Sequence, residues 1–254
     1  MFTKIAIIGT GNIGAWLFQT LQNQNNLEVC LFSSRKIEAL SQNFDLYIFA
    51  LKDDIYVDVL KQIPFKMPCA VHTSGSLSQN ILASYSEKFG VLYPYQSITN
   101  YELQITNFGI PICVEGIDSV FENLLFQWTN SIFNIVYKVS ERQRFAMHLA
   151  AVFANNFTNA MYGIAYQIFK ENDLDWSLIF PLLENTLEKA KNHTPPLAQT
   201  GPAKRGDVSI IKKHCDNLNE EDIKELYKLI SKIIQKNHLI TSSPHHLITF
   251  SPLP

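Results

Sequence analysis

Apolar and polar positions alternate in a regular way over the first half of the chain. Lys4-Ile5-Ala6-Ile7-Ile8 is a short, β-branched apolar run, and a glycine cluster separates it from Ala15-Trp16-Leu17-Phe18-Gln19-Thr20-Leu21, whose apolar residues recur at helical spacing. This predicts strand, turn and helix. Further runs at 27–32, 45–50, 69–73, 89–93, 110–115 and 134–137 read as strands, with helical patterns over about 55–62 and 121–128. Strands that alternate with helices in this way predict an α/β fold built on a doubly wound parallel sheet.

Beyond about residue 138 the alternation stops and helical patterns take over. Ser140 is placed to cap a helix running to about 172, with Glu141 in its first turn. A second helix is predicted over about 176–192, ended by Thr194-Pro195-Pro196, and a last one over about 220–236. The expected organisation is therefore a sheet domain over 1–138, an all-helical domain over 139–236 and a tail over 237–254. Residues 145–169 carry no formal charge, a length that could span a bilayer. His148, Asn155, Asn156, Thr158, Asn159 and Gln167 make that costly, so a helix buried in the protein or between subunits is expected instead.

Composition narrows the class of partner. The 254 residues are 46% hydrophobic and 17% charged with a net charge of -2, which leaves no excess to draw the chain onto nucleic acid or an anionic membrane. A small-molecule substrate is the better expectation. Cys30, Cys69, Cys113 and Cys215 are scattered, and neither a disulfide nor a metal framework follows from their spacing. His245-His246 lies in a Pro- and Ser-containing tail and reads as solvated rather than metal-bound. MFTKIAIIGT has no leader-like pattern, which predicts a cytoplasmic protein.

The glycine cluster carries chemistry. In Gly9-Thr10-Gly11-Asn12-Ile13-Gly14, placed between strand and helix, Gly9 allows the tight turn, Gly11 lets backbone approach a pyrophosphate and Gly14 lets the helix pack on the strand. The free N–H groups of the helix would hold the phosphates. An NAD site would place an acid ~20 residues further on, at the ribose hydroxyls. Here the second strand ends instead at Ser33-Ser34-Arg35-Lys36. Two hydroxyls and two cations suit a ribose 2′-phosphate, with Arg35 as the fork-shaped partner, and favour NADP over NAD, FAD or S-adenosylmethionine. Ser34 could equally cap a helix beginning near Arg35. Ligands of such sheets lie over the carboxyl ends of the strands, which aligns Leu51-Lys52-Asp53, His72-Thr73-Ser74 and Pro94-Tyr95-Gln96 on one rim with the glycine turn. Leu51 and Ser74 would border the nicotinamide ribose, and Gln96 the substrate.

On a regular helix His148, Asn155, Asn159, Tyr162 and Tyr166 fall within about a 60° arc, a polar stripe that needs partners. It faces either a cofactor cleft or another helix. Within Thr200-Gly201-Pro202-Ala203-Lys204-Arg205-Gly206-Asp207, Thr200, Arg205 and Asp207 could form an anion- or carbonyl-recognising loop, while Asp207 could simply cap a short helix through Lys213.

The run GTGNIG, the loops HTSGSLS and YPYQSIT, the helix HLAAVFANNFTNAMYGIA and the segment LAQTGPAKRGD resemble the bacterial Rossmann-like oxidoreductases that carry a C-terminal helical domain of unknown function. These are distant relatives of pyrroline-5-carboxylate reductase, ketopantoate reductase and the coenzyme F420-dependent NADP oxidoreductases. The resemblance covers all but the tail. It implies an N-terminal NADP-binding domain, a helical domain that forms a homodimer and a cleft between the domains, and it supplies no substrate.

Related hydroxyacid reductases place a catalytic Lys one turn before an Asn on the long helix, whereas Ala151 and Val152 stand at those positions. His148 is the nearest ionisable group on that face and the best candidate proton donor, with Asn155 beside the substrate. His72 is its rival, equally suited to touching the cofactor. Many relatives carry His before the Pro where this chain has Tyr93. Hydride transfer between NADP and a C=O or C=N bond is the leading expectation. The alternatives are a dinucleotide-binding regulator that does no chemistry and, more weakly, a methyltransferase.

Overall fold

The computed structural model describes residues 1–99 and 109–241. The chain divides into two compact units, Met1–Gly163 and Ile164–Pro254.

In the first unit seven strands form one sheet in the order β2-β1-β3-β4-β5-β6-β7. They are β1 (Lys4–Ile8), β2 (Glu28–Phe32), β3 (Leu46–Phe49), β4 (Met67–His72), β5 (Ser86–Pro94), β6 (Ile112–Gly116) and β7 (Val136–Lys138). The strands from β2 to β5 run parallel, and the chain reverses its direction of travel at β1, leaving a crevice over the carboxyl ends of β1 and β3. β6 departs from the all-parallel expectation. It pairs antiparallel with β5, Pro94 opposite Ile112, a pairing that requires no crossover between the two strands.

Strand alternation sorts the core into two layers. Ile5 and Ile7 pack with Trp16, Leu17 and Leu21 of α1 (Asn12–Gln22) and with Phe121, Leu125 and Trp128 of α3 (Ser119–Asn130). Ala6 and Ile8 face Ile37, Leu40 and, from α2 (Tyr56–Leu60), Tyr56 and Leu60. The helix expected from Arg35 is reduced to a single 3₁₀ turn, Ile37–Ala39. The short 36–44 segment spends Ile37, Leu40 and Phe44 on covering the sheet, and Ser33 Oγ, not Ser34, takes the Arg35 N–H at 3.3 Å.

Ser140 caps the long helix as expected, through a reciprocal capping box with Gln143. That helix is not uniform: α4 (Glu141–Ala151) passes through a π-helical segment, Val152–Phe157, into α5 (Thr158–Glu171). The Thr158 hydroxyl donates to the Phe153 carbonyl five residues back, at 3.1 Å. Wider turns advance each residue by less than the ~100° of an α-helix. Asn159 and Tyr162 are thereby rotated off the face that carries His148, and within the first unit the stripe of a regular helix is broken. Burial differs too. Phe145, Leu149, Phe153 and Phe157 are each at least half exposed on the chain by itself.

In the second unit, Trp176 opens a 3₁₀ turn and is boxed edge-on by Tyr166, Phe169 and Phe180, with centroids 5.3, 5.5 and 6.2 Å away. Pro181 starts α6 (Phe180–Asn192). The short α7 (Pro195–Ala198), α8 (Pro202–Arg205) and α9 (Val208–Asp216) pack on α10 (Glu221–Thr241), which extends past the expected end at 236. His245 and His246 lie outside the described residues, and no described helix is long and apolar enough to cross a membrane.

The tightest joint between sheet and helix is at Gly14, where an added Cβ would sit 1.8 Å from the Gly9 carbonyl oxygen. Gly14→Ala is expected to cost about 1–3 kcal/mol of stability in urea unfolding, as overpacking does.

Candidate functional site

Gly9 has φ +123°, a conformation open to glycine, and an added Cβ would meet the Ala50 carbonyl oxygen at 2.1 Å and Leu51 Cδ2 at 3.2 Å. Its absence lets the end of β1 close on the end of β3. α1 then begins at Asn12 with Gly11 as N-cap, no side-chain cap and no acid in its first turn. Nothing lies within 4 Å of the space a Cβ on Gly11 would fill. Uncapped N–H groups facing open space beside a close-approach glycine fit an anionic pyrophosphate. Thr10 and Asn12 are exposed and Ile13 half-buried on the same turn, while Ser33, Ser34 and exposed Arg35 follow the neighbouring strand β2.

The next part of the rim is built on a buried charge. α4 lays Arg144, Met147 and His148, at i, i+3 and i+4, over the side of the sheet where Val91, Tyr93, Cys113 and Glu115 point. Arg144 is 0% exposed: its Nε donates to Glu115 Oε2 and its Nη1 to the Ser74 carbonyl, both at 3.1 Å. Nη2 has no hydrogen-bond partner among the described residues. Burial raises the Glu115 carboxyl above its ordinary value although Arg144 pulls it back. Ser74, held this way, organises the loop after β4, its Oγ accepting from the N–H groups of Ser76 and Leu77 at 3.1 and 3.0 Å. Ser76 Oγ donates to Asp53 and Ser78 Oγ to Glu141.

The two candidate histidines part company here. His72 is 0% exposed beneath the rim: its Nδ1 accepts the Ser74 N–H at 3.2 Å and its ring meets Tyr56 edge-on. Burial and then Arg144 depress its pKa to about 4, so the ring is neutral at physiological pH. His148 is half-buried, with Nδ1 3.1 Å from the Tyr93 hydroxyl. It lies so close to Gly75 that a Cβ there would be 2.6 Å from Nδ1.

A line of contacts therefore joins Gly9 to Ala50 and Leu51, Asp53 to Ser76, and Gly75 and Tyr93 to His148. Gln96 is exposed after β5 and its Oε1 accepts the Ser97 N–H. Asn155 is exposed within the π-helical segment. Thr200, Arg205 and Asp207 belong to the second unit. There Arg205 grips Asp207 through Nε and Nη2, at 2.9 and 2.8 Å, which takes the carboxylate away from the capping role that sequence allowed it at α9. Sequence reasoning passed over Arg144, Glu115 and Gly75. Two signals were present: a cation in a first helical turn, where the helix dipole disfavours it, and an acid within an apolar strand, where it needs a partner.

Residues 110–234 match the family described as a domain of unknown function (DUF2520). Among curated proteins none matches the chain. In solved structures the chain is similar to a "putative NADP oxidoreductase" of Bacteroides fragilis, 29% identical, with TM-score 0.84 over 92% of this chain and 98% of that one. It shares its fold with a Thermotoga maritima protein, 21% identical, TM-score 0.68, covering 93% and 99% of the two chains. The same holds for a pyrroline-5-carboxylate reductase of Streptococcus pyogenes, 16% identical, TM-score 0.57, covering 94% and 98%. The Rossmann-type sheet followed by a helical C-terminal region is thus the fold of all three.

Two outcomes follow from the buried groups. The unfolded chain binds a proton at a histidine below its ordinary value of 6.5, whereas folded His72 does so only near 4. Its contribution is whole above pH 6.5 and drains as pH falls toward 4, by about 3 kcal/mol. In His72→Asn, which keeps an acceptor for Ser74, urea unfolding should lose that slope. Arg144→Met is expected to cost about 3–5 kcal/mol by stranding Glu115, and adding Glu115→Leu should return part of it.

Proposed function

We propose that this chain is an NADP-dependent oxidoreductase that transfers hydride to or from a C=O or C=N bond of a small polar substrate. The observation that carries this reading is the line of contacts between the uncapped glycine turn and His148, which sets an uncapped helix end and an ionisable side chain on one rim. The Bacteroides fragilis protein, similar over nearly the whole chain, is described as a "putative NADP oxidoreductase", which supports the cofactor class.

Gly9, Gly11 and Gly14, with the N–H groups of Thr10, Asn12 and Ile13, hold the pyrophosphate, and Ser33, Ser34 and Arg35 take the 2′-phosphate. Leu51 and Ser74 border the nicotinamide ribose. The bound nicotinamide supplies hydride exchange. Buried His72 contributes by fixing the Ser74 backbone rather than by contact. His148 donates the proton that a reduced carbonyl or imine requires, with Gln96 and Asn155 as substrate contacts in the first unit. Thr200, Arg205 and Asp207 are the recognition group of the second unit. The exposed run Phe145, Leu149, Phe153 and Phe157, spaced four apart, supports a homodimer formed through the helical region.

NADPH is expected to bind at least roughly tenfold tighter than NADH, and Arg35→Ala to level the two, as loss of one charge-assisted pair would. Titration calorimetry with both cofactors measures this, and equal wild-type affinities would sink the cofactor assignment. Oxidation of NADPH by a panel of keto acids and imines tests the reaction; tight NADPH binding with no turnover of any of them favours a regulator.

A further inference from the structure

Tyr93 and His148 form a polar pair on the side of the sheet that also carries the buried Arg144–Glu115 ion pair. Tyr93 stands on β5 opposite Cys113 and packs with Val91, Val139 and Met147, its ring edge-on to His148 at 6.1 Å and to Tyr95 at 6.2 Å. The hydroxyl lies 3.1 Å from Nδ1. Burial pushes its pKa up to about 12, so it keeps its proton throughout the neutral range. A buried phenol must place its one O–H, and a neutral imidazole offers one accepting nitrogen. On the same side Gly75 closes over the ring, leaving no room at Nδ1 for even a methyl group.

We propose that Tyr93 is the positioning residue for His148. Its hydroxyl donates to Nδ1 of the neutral imidazole and so keeps the ring proton on Nε2, the nitrogen turned away from Tyr93 and Gly75. This rests on the oxidoreductase reading for its purpose and on geometry alone for its content. The resting pair presents Nε2–H as a hydrogen-bond donor to a carbonyl oxygen or imine nitrogen. Full proton transfer draws on the protonated ring, in which Nδ1–H turns to the tyrosine oxygen. The Nε2–H bond would break and an O–H or N–H bond form as the adjacent carbon accepts the hydride that a bound reduced nicotinamide would supply, leaving a neutral ring whose remaining proton is on Nδ1. Solvent then protonates Nε2 and takes the Nδ1 proton, which restores the resting pair. Tyr93 keeps its own proton at every stage, because a buried phenolate is not formed at neutral pH.

Long-range proton–nitrogen NMR of the ¹⁵N-labelled full chain without cofactor, at a pH where the ring is neutral and with His148 assigned through His148→Gln, reads the tautomer directly. The wild type is expected to show one tautomer, with the proton on Nε2 and Nδ1 at a hydrogen-bonded shift. In Tyr93→Phe, Nδ1 should move to an unbonded shift and the ring signals should average between tautomers. A wild-type ring protonated on Nδ1, or a spectrum unchanged in Tyr93→Phe, overturns the proposal. The wild-type spectrum decides even if the variant does not fold. Failure of NADPH to bind would overturn the oxidoreductase reading while leaving this one intact. With any substrate that is turned over, Tyr93→Phe should lower kcat roughly tenfold at unchanged NADPH affinity.

Discussion

The guanidinium of Arg144 is the group on which the site depends. It reaches Glu115 on the reversed strand β6 and the Ser74 carbonyl in the loop after β4, and it does so from the first turn of α4. Removing an arginine and a carboxylate from water is expensive, and the pair returns that cost only through good geometry. One guanidinium nitrogen even lacks a partner among the described residues. A hydrophobic pair could fill the same volume. What it could not do is fix the rotation of the helix against the sheet and the path of the serine loop with one side chain. His148 follows Arg144 by one turn on the same face, so its place over Tyr93 is set by the ion pair beneath it.

Much of this was legible in the chain. Alternating apolar runs gave the sheet, the glycines gave the strand-to-helix turn, and Ser140 with Glu141 gave the start of the long helix. These are local signals, in which a few neighbouring residues determine the outcome. The failures are of another kind. Asp207 is a sound helix cap in isolation, but its Oδ2 is taken by Arg205, two residues away, and its side chain makes no cap at α9. Arg35 looks like the first turn of a helix until the segment after it is needed as a cover for the sheet. Gly75 carries no message at all in one dimension; its meaning lies in a histidine more than seventy residues later.

The histidines illustrate the same limit. In sequence His72 and His148 are both ionisable groups near a predicted rim. Three-dimensional surroundings separate them: one is wholly enclosed, neutral, and occupied with the loop that follows it, and the other is half-exposed against a phenol. Burial, which periodicity does predict, was the discriminating property, since a residue at the end of a central parallel strand has both faces of the sheet covered.

The widened turn at Val152–Phe157 has a consequence for how the chain can change in length. A wide turn spends more residues on one revolution than its neighbours do. Loss of a residue there would tighten the coil while swinging the residues of the first unit that follow it around the axis. Gain of a residue elsewhere in α4 or α5 would swing them too, but with no slack to absorb. Within the first unit the long helix is thus keyed to the sheet at its start by Ser140 and Arg144, and beyond Ala151 it holds a spare residue in a single coil.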